Sequence, residues 1–171
     1  VFVVGNIGIP FTSVALDTTE DSVIVAEMSS FQLETIETFR PRVSAILNIT
    51  PDHLNRHHTM EAYVAAKEAV ASQQTKADIC VLNYDNDYTR DFAGRCPATP
   101  VLFSSHHELE NGYFLRGDKI IKSVNGEEHE LMDIHKDMNL VGLCNVENVM
   151  AAIAIAEGMH CLLYTSPSPR D

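Results

Sequence analysis

The chain has 171 residues, 45% apolar and 21% charged, enough for one domain with a real core. Its 12 basic and 24 acidic residues leave a net charge of −12, which argues against nucleic acid and anionic membrane surfaces as partners. No apolar run approaches the ~18 residues of a membrane span, and four cysteines without CxxC spacing read as free cytosolic thiols. The first residue is not Met, and the chain is expected to be part of a longer one.

Val1 to Val4 reads as the end of a buried strand, followed by the turn Gly5-Asn6-Ile7-Gly8 and a helix from Pro10 to Leu16. A second apolar strand, Val23 to Ala26, ends in Glu27. Ser29 and Ser30 can cap a helix running from Phe31 to Phe39. Ala45, Ile46, Leu47 and Ile49 form a third strand, broken at Thr50-Pro51. Asp52, His53, Asn55, Arg56, His57 and His58 follow at once, then a helix with Met60, Tyr63, Val64 and Ala71 on its inner stripe. Ile79 to Leu82 is a fourth strand, Asp87 to Ala93 a short helix and Val101 to Phe103 a fifth strand. This alternation predicts an α/β fold, a mostly parallel sheet with helices on both faces. Tyr113 to Ile134 has no helical period, and Asn125-Gly126 marks a hairpin, so a small antiparallel meander is expected as an appendage. The last helix opens near Leu140, has Asn145 as a plausible N-cap and runs to about Glu157. Residues 1–159 then make one domain, and 160–171 an unstructured or artefactual tail.

A parallel sheet gathers its strand ends on one rim, which here would carry Asn6, Glu27, Ser29, Asp52 and His53. Lys67 falls on the apolar stripe of the following helix, either as a snorkelling stem or as a partly buried amine able to do chemistry. A carboxylate, an imidazole and such a lysine suit metal-assisted chemistry on an anionic substrate, with Mg²⁺ as the ion. A zinc site from His53, His57 and His58 competes with this. A hydrolase built on Ser29 or Ser30 would lack the GxSxG elbow.

The motifs GNIG at 5–8, EMSSFQLE at 27–34, NITPDHLNRH at 48–57 and the YxxAK of Tyr63–Lys67 together resemble the central ATP-binding domain of the Mur ligases, over about Val1 to Met159. That domain has a P-loop NTPase-like fold. EMSSFQLE is most similar to the member that adds D-glutamate to UDP-N-acetylmuramoyl-L-alanine in peptidoglycan synthesis. The resemblance implies a cytoplasmic, monomeric ligase using ATP and two Mg²⁺ ions. It implies Glu27, His53 and Lys67 as metal ligands, with Lys67 carbamylated, and His53 and Lys67 as catalytic residues. It implies Asn6, Ser29 and Gln32 as contacts to the UDP-sugar substrate, and Asn145 and Asn148 as contacts to the adenine nucleotide. In several places the chain departs from the pattern. No GxxGKT/S loop is present, and it is expected upstream of Val1; the flanking domains are absent too, so residues 1–171 alone are expected to be inactive. Asn55 stands for a usual Asp, His58 for a usual Gly, and Cys144 for a usual His. The alternatives are a sister ligase for another amino acid and a non-catalytic nucleotide-sugar-binding domain.

Overall fold

The computed structural model describes residues 1–139 and 141–161. In chain order its elements are β1 (Phe2–Gly5), β2 (Ile24–Glu27), α1 (Ser30–Leu33), β3 (Val43–Ile46), α2 (Leu54–His57), α3 (Met60–Glu68) and β4 (Ile79–Asn83). They continue as α4 (Asp87–Ala93), β5 (Thr99–Ser104), β6 (Gly112–Arg116), β7 (Lys119–Val124), β8 (Glu127–Asp133), α5 (Ile134–Asp137) and α6 (Leu143–Gly158).

β4 is shared between two hydrophobic cores. Cys80 and Leu82 join Tyr63, Val64, Val70 and Phe92 in one. Val81 joins Phe103, Tyr113, Met150 and Ala154 in the other. A strand covered on both faces is apolar at successive positions, which is why Ile79 to Leu82 shows no alternation. α3 and α4 cover one face and α6 the other, so the α/β architecture with helices on both faces is what the structure has. α3 and α4 each start on a side-chain cap, Thr59 Oγ1 accepting from the Ala62 amide and Asn86 Oδ1 from the Thr89 amide, both at 3.2 Å. The four cysteines are free thiols, with Cys80 and Cys96 buried. No helix among the described residues is long and apolar enough to cross a membrane.

The main sheet has six strands in the order β3-β4-β5-β6-β7-β8. The meander is therefore no appendage. β6 pairs in parallel with β5 through Phe103↔Tyr113 and Ser104↔Phe114, and β7 and β8 extend the sheet antiparallel. Asn125 (φ 53°) and Gly126 (φ 80°) both adopt left-handed backbone, as the predicted β7–β8 hairpin turn requires.

The expectation of one common sheet fails at its other end. β1 and β2 pair in parallel as a separate two-stranded sheet. The chain from β2 to β3 is anchored through side chains instead, with Leu33, Met28 and Ile36 reaching the first core. Two helices are shorter than expected. Residues 10–16 form two 3₁₀ turns, Phe11–Ser13 and Ala15–Asp17, because Phe11 and Leu16 remain exposed and no packed face supports a longer helix. α1 stops at Leu33, where the β-branched Thr35, Ile36 and Thr38 and then Pro41 oppose its continuation. Asn145 is not the N-cap of α6. Gly142 holds that position, and the Asn145 side chain donates to the Val141 carbonyl at 2.7 Å. The predicted start at Leu140 and the predicted tail beyond Cys161 lie outside the described residues.

Gly5 closes β1 against the residue that ends β2. Its φ is +147°, and a Cβ there would meet the Glu27 carbonyl oxygen and lie 2.6 Å from the Glu27 amide nitrogen. Gly5→Ala is expected to cost about 1–3 kcal/mol in urea unfolding by forcing Glu27 away; an unchanged midpoint would contradict this packing.

Candidate functional site

Parallel β3, β4 and β5 end on one rim, which His53 follows, while Asn6, Glu27 and Ser29 belong to or follow the separate β1–β2 sheet. Glu27 ends β2, where its Oε2 accepts from the Ile7 amide at 3.2 Å and its carbonyl from the Asn6 amide at 2.9 Å. Ser29 and Gln32 form a reciprocal capping box on α1. Ser29 Oγ lies 3.3 Å from the Gln32 amide, and Gln32 Oε1 accepts from the Ser29 amide at 2.9 Å and from Ser29 Oγ at 3.0 Å. The capping accounts for both residue types. It uses only the oxygen of the Gln32 side chain, so its NH₂ group has no partner among the described residues.

His53 and Lys67 reach the same neighbourhood through a stack of rings. The His53 ring lies 5.0 Å from that of Phe31 in α1. Phe31 stacks on His57 at 5.6 Å and 22°, and His57 meets Tyr63 at 5.2 Å. Lys67 Nζ stands 5.7 Å above the Tyr63 ring, with the residue half-buried and no carboxylate partner among the described residues. This position against the ring is compatible with both readings of Lys67. Glu27, His53 and Lys67 share no direct hydrogen bond or ion pair; His53 and Lys67 lie against the ring stack, while Glu27 contacts the Asn6 and Ile7 amides three residues before α1. Asn145 and Asn148 stand apart on α6, with no polar contact to the other three among the described residues.

The segment carrying His53 is held in an unusual backbone. α2 is a single turn, and both flanking residues have positive φ: His53 at φ 53°, ψ 25° and His58 at φ 67°, ψ −38°. The Thr59 amide donates to the His57 carbonyl at 2.8 Å, closing a γ-turn around His58. Positive φ is why glycine is usual at such a position. Each such residue costs on the order of 1–3 kcal/mol, and a one-turn helix has no stability of its own to offset this.

His57 supplies the compensation. Its side chain is 2% exposed, Nδ1 is 3.1 Å from Glu34 Oε1, and Nε2 is 3.0 Å from Ser30 Oγ. Glu34 also accepts from Arg56 at 2.8 Å, and this bond above all holds its carboxyl below the ordinary carboxylate value. An ionised carboxylate only accepts, so Nδ1 carries the proton, and in the neutral ring Nε2 takes the Ser30 hydroxyl hydrogen. A hydrogen bond to a charged group contributes roughly 1.5–3 kcal/mol, comparable to the strain it opposes. Both ring nitrogens being occupied, His57 is no zinc ligand beside His53 and His58. The Ser30–His57–Glu34 array has the connectivity of a hydrolase triad, but Ser30 is 2% exposed and no substrate carbonyl can reach it.

A second polar cluster, absent from the sequence reading, lies at the ends of β4 and β5. Asp85 accepts from Ser104 Oγ at 2.6 Å, the Ser105 amide at 2.7 Å and His107 Nδ1 at 2.8 Å. Ser105 Oγ donates in turn to Glu147 of α6 at 2.6 Å. Asp85, His106 and Glu147 offer ligand atoms within 4.8 Å of one another, though these acceptors are already occupied by protein donors. The signal was available, since Asp85 and His106 each follow a strand end as Asp52 and His53 do.

The Mur ligase middle-domain family matches residues 4–156, and the chain belongs to the Mur ligases, the family its motifs resemble. It is 60% identical over 156 residues to the UDP-N-acetylmuramoylalanine–D-glutamate ligase of Lachnoclostridium phytofermentans, and 48% identical over 156 residues to that of Clostridioides difficile. Each match covers 91% of this chain and 34% of the relative, so the chain spans about a third of their length. The same fold occurs in the UDP-N-acetylmuramate:L-alanyl-γ-D-glutamyl-meso-diaminopimelate ligase of Neisseria meningitides, at TM-score 0.60 and 17% identity over 80% of this chain and 43% of that one.

Two expectations follow. His58→Gly should raise stability by about 1 kcal/mol, the relief of strain exceeding the entropy cost of glycine; a lower unfolding midpoint would contradict it. For Asp85, burial pushes the carboxyl up, but hydrogen bonds from Ser104, His107, the Ser105 amide and His106 outweigh it and hold the pKa at about 2. The ordinary value is about 3.9, so the ionised group contributes about 2 kcal/mol above pH 4, lost as pH falls toward 2. Asp85→Asn should therefore cost stability at pH 7, with the difference shrinking between about pH 4 and pH 2 in denaturant titrations.

Proposed function

We propose that this chain is the central part of a cytoplasmic, monomeric, ATP-dependent ligase that joins D-glutamate to UDP-N-acetylmuramoyl-L-alanine in peptidoglycan precursor synthesis. The observation that carries this reading is 60% identity, across 91% of the chain, to a relative bearing that activity in its name. In the proposed reaction the γ-phosphoryl group of ATP passes to the substrate carboxylate, giving an acyl phosphate and ADP. The amine of D-glutamate attacks the acyl carbon, and the tetrahedral intermediate expels inorganic phosphate as the amide forms.

The physical obstacle is charge, since a carboxylate must approach a triphosphate on a chain of net charge −12. Mg²⁺, when bound, supplies the neutralisation between these anions. The donor set fits it: Glu27 offers a carboxylate at the strand end and His53 a half-exposed imidazole. The ammonium of Lys67 is no ligand as it stands. That it has no carboxylate partner among the described residues suits the carbamate reading, in which the neutral amine adds to CO₂, loses a proton and becomes an anionic oxygen donor. Two ions are proposed, one beside Glu27 and one beside His53 and Lys67. The Gln32 amide, which has no partner among the described residues, is assigned with Asn6 and Ser29 to the UDP-sugar substrate, and Asn145 and Asn148 to the adenine nucleotide.

The test is phosphate release by the full-length protein with ATP, UDP-N-acetylmuramoyl-L-alanine and a panel of amino acids. Turnover with D-glutamate alone is expected, and turnover with a different amino acid would replace this reading with a sister activity. Lys67→Ala should lose at least about 100-fold in kcat, some 2.7 kcal/mol of barrier, and regain activity with short carboxylic acids. Full activity without rescue would remove Lys67 from the mechanism.

A further inference from the structure

We infer that His57 is a positioning residue of the ligase site, a buried clamp that fixes α1 against the segment carrying His53 and so sets the geometry in which Glu27, His53 and Lys67 face a metal ion. This rests on the ligase reading above and adds to it a residue that touches neither substrate nor ion.

The argument is one of connectivity. Along α1, Ser30 and Glu34 are the two polar partners of His57, at 3.0 and 3.1 Å. Between them lies Phe31, whose ring stacks on His57 and also meets His53. Just before them come Ser29 and, two residues further back, Glu27. On the other side His57 closes the turn that begins at His53, its amide donating to the His53 carbonyl at 3.0 Å. It also packs on Tyr63, the ring beneath Lys67 Nζ. Each proposed ligand is thus linked to His57 by one residue or a few bonds of backbone.

An apolar side chain could fill the same volume. It could not fix the rotation of α1 about its axis, because that needs two directional bonds to residues one helical turn apart. A four-residue helix such as α1 has too little buried surface to hold its own orientation. His53 faces the same difficulty, since its left-handed backbone persists only if the surroundings over-determine it. The clamp therefore governs where two ligands point while its side chain bonds to neither.

Substitutions of residues that orient metal ligands typically weaken metal affinity by about 10–100-fold. The experiment measures Mn²⁺ binding to the full-length protein by electron paramagnetic resonance, and ligase turnover as a function of Mg²⁺. For His57→Leu, which keeps the volume, Mn²⁺ affinity should fall about 10-fold and the Mg²⁺ concentration for half-maximal activity should rise in parallel. KM for ATP should change less than about threefold. His57→Asn keeps a donor toward Glu34 and should recover most of the affinity. A purely structural role would lower the melting temperature and leave metal half-saturation where it was. A folded His57→Leu protein with wild-type Mn²⁺ affinity overturns the proposal. Should that variant not fold, Ser30→Ala and Glu34→Ala decide the matter. Each removes one contact and leaves the ring in place, so weakened Mn²⁺ binding supports the clamp and wild-type binding in both overturns it. A wild-type protein that binds Mn²⁺ but ligates no amino acid would count against the ligase reading, while the Mn²⁺ series would still decide the role of His57.

Discussion

A single imidazole, shut away from water and bonded at both nitrogens, makes two one-turn helices behave as one rigid piece. α1 and α2 are four residues each, far below the length at which a helix is stable alone. What keeps them folded is the ring of His57, gripped by Ser30 and Glu34 and layered between Phe31 and Tyr63. Remove that contact and the strained backbone at His53 and His58 keeps only the exposed Arg56–Glu34 pair and local contacts to oppose it.

This constraint explains how a site can form between sheets that share no hydrogen bonds. Glu27 belongs to the two-stranded sheet and His53 follows a strand of the six-stranded one. Side chains bridge the gap: Met28, Leu33 and Ile36 enter the core beneath α3, and the ring stack runs above it. The larger sheet provides stiffness through strands buried on both faces. The smaller one ends in Glu27, and Gly5 lets its two backbones approach closely there.

Much of this was legible in the residues. Continuous apolar runs located the strands, though β1 and β2 are not buried as expected, Val3 being 70% and Val25 49% exposed; Asn125-Gly126 located a turn, and the helical stripe singled out Lys67. The Mur ligase motifs named the family that the comparison then matched. The failures have physical causes. Periodicity extended α1 to Phe39 because it is blind to the cumulative resistance of Thr35, Ile36 and Thr38. Asn145 looked like a cap because residue type does not reveal that Gly142 already occupies that position at φ 101°. His57 was weighed only as a zinc ligand, since spacing along the chain does not say which way a side chain turns in a helix one turn long. The Asp85 cluster was missed because its partners are far apart in sequence, Ser105 and Glu147 being 42 residues apart.

Among the described residues, β8 lies at the outer limit of the large sheet, with one row of amides and carbonyls facing no neighbouring strand. Such a border invites another polypeptide to add itself. Here it begins Glu127-Glu128-His129-Glu130, all exposed, and its register slips beside Ile120 and Ile121. A second molecule arriving border to border would set carboxylate against carboxylate along an irregular seam. The acidic margin thus opposes growth of the sheet by repulsion.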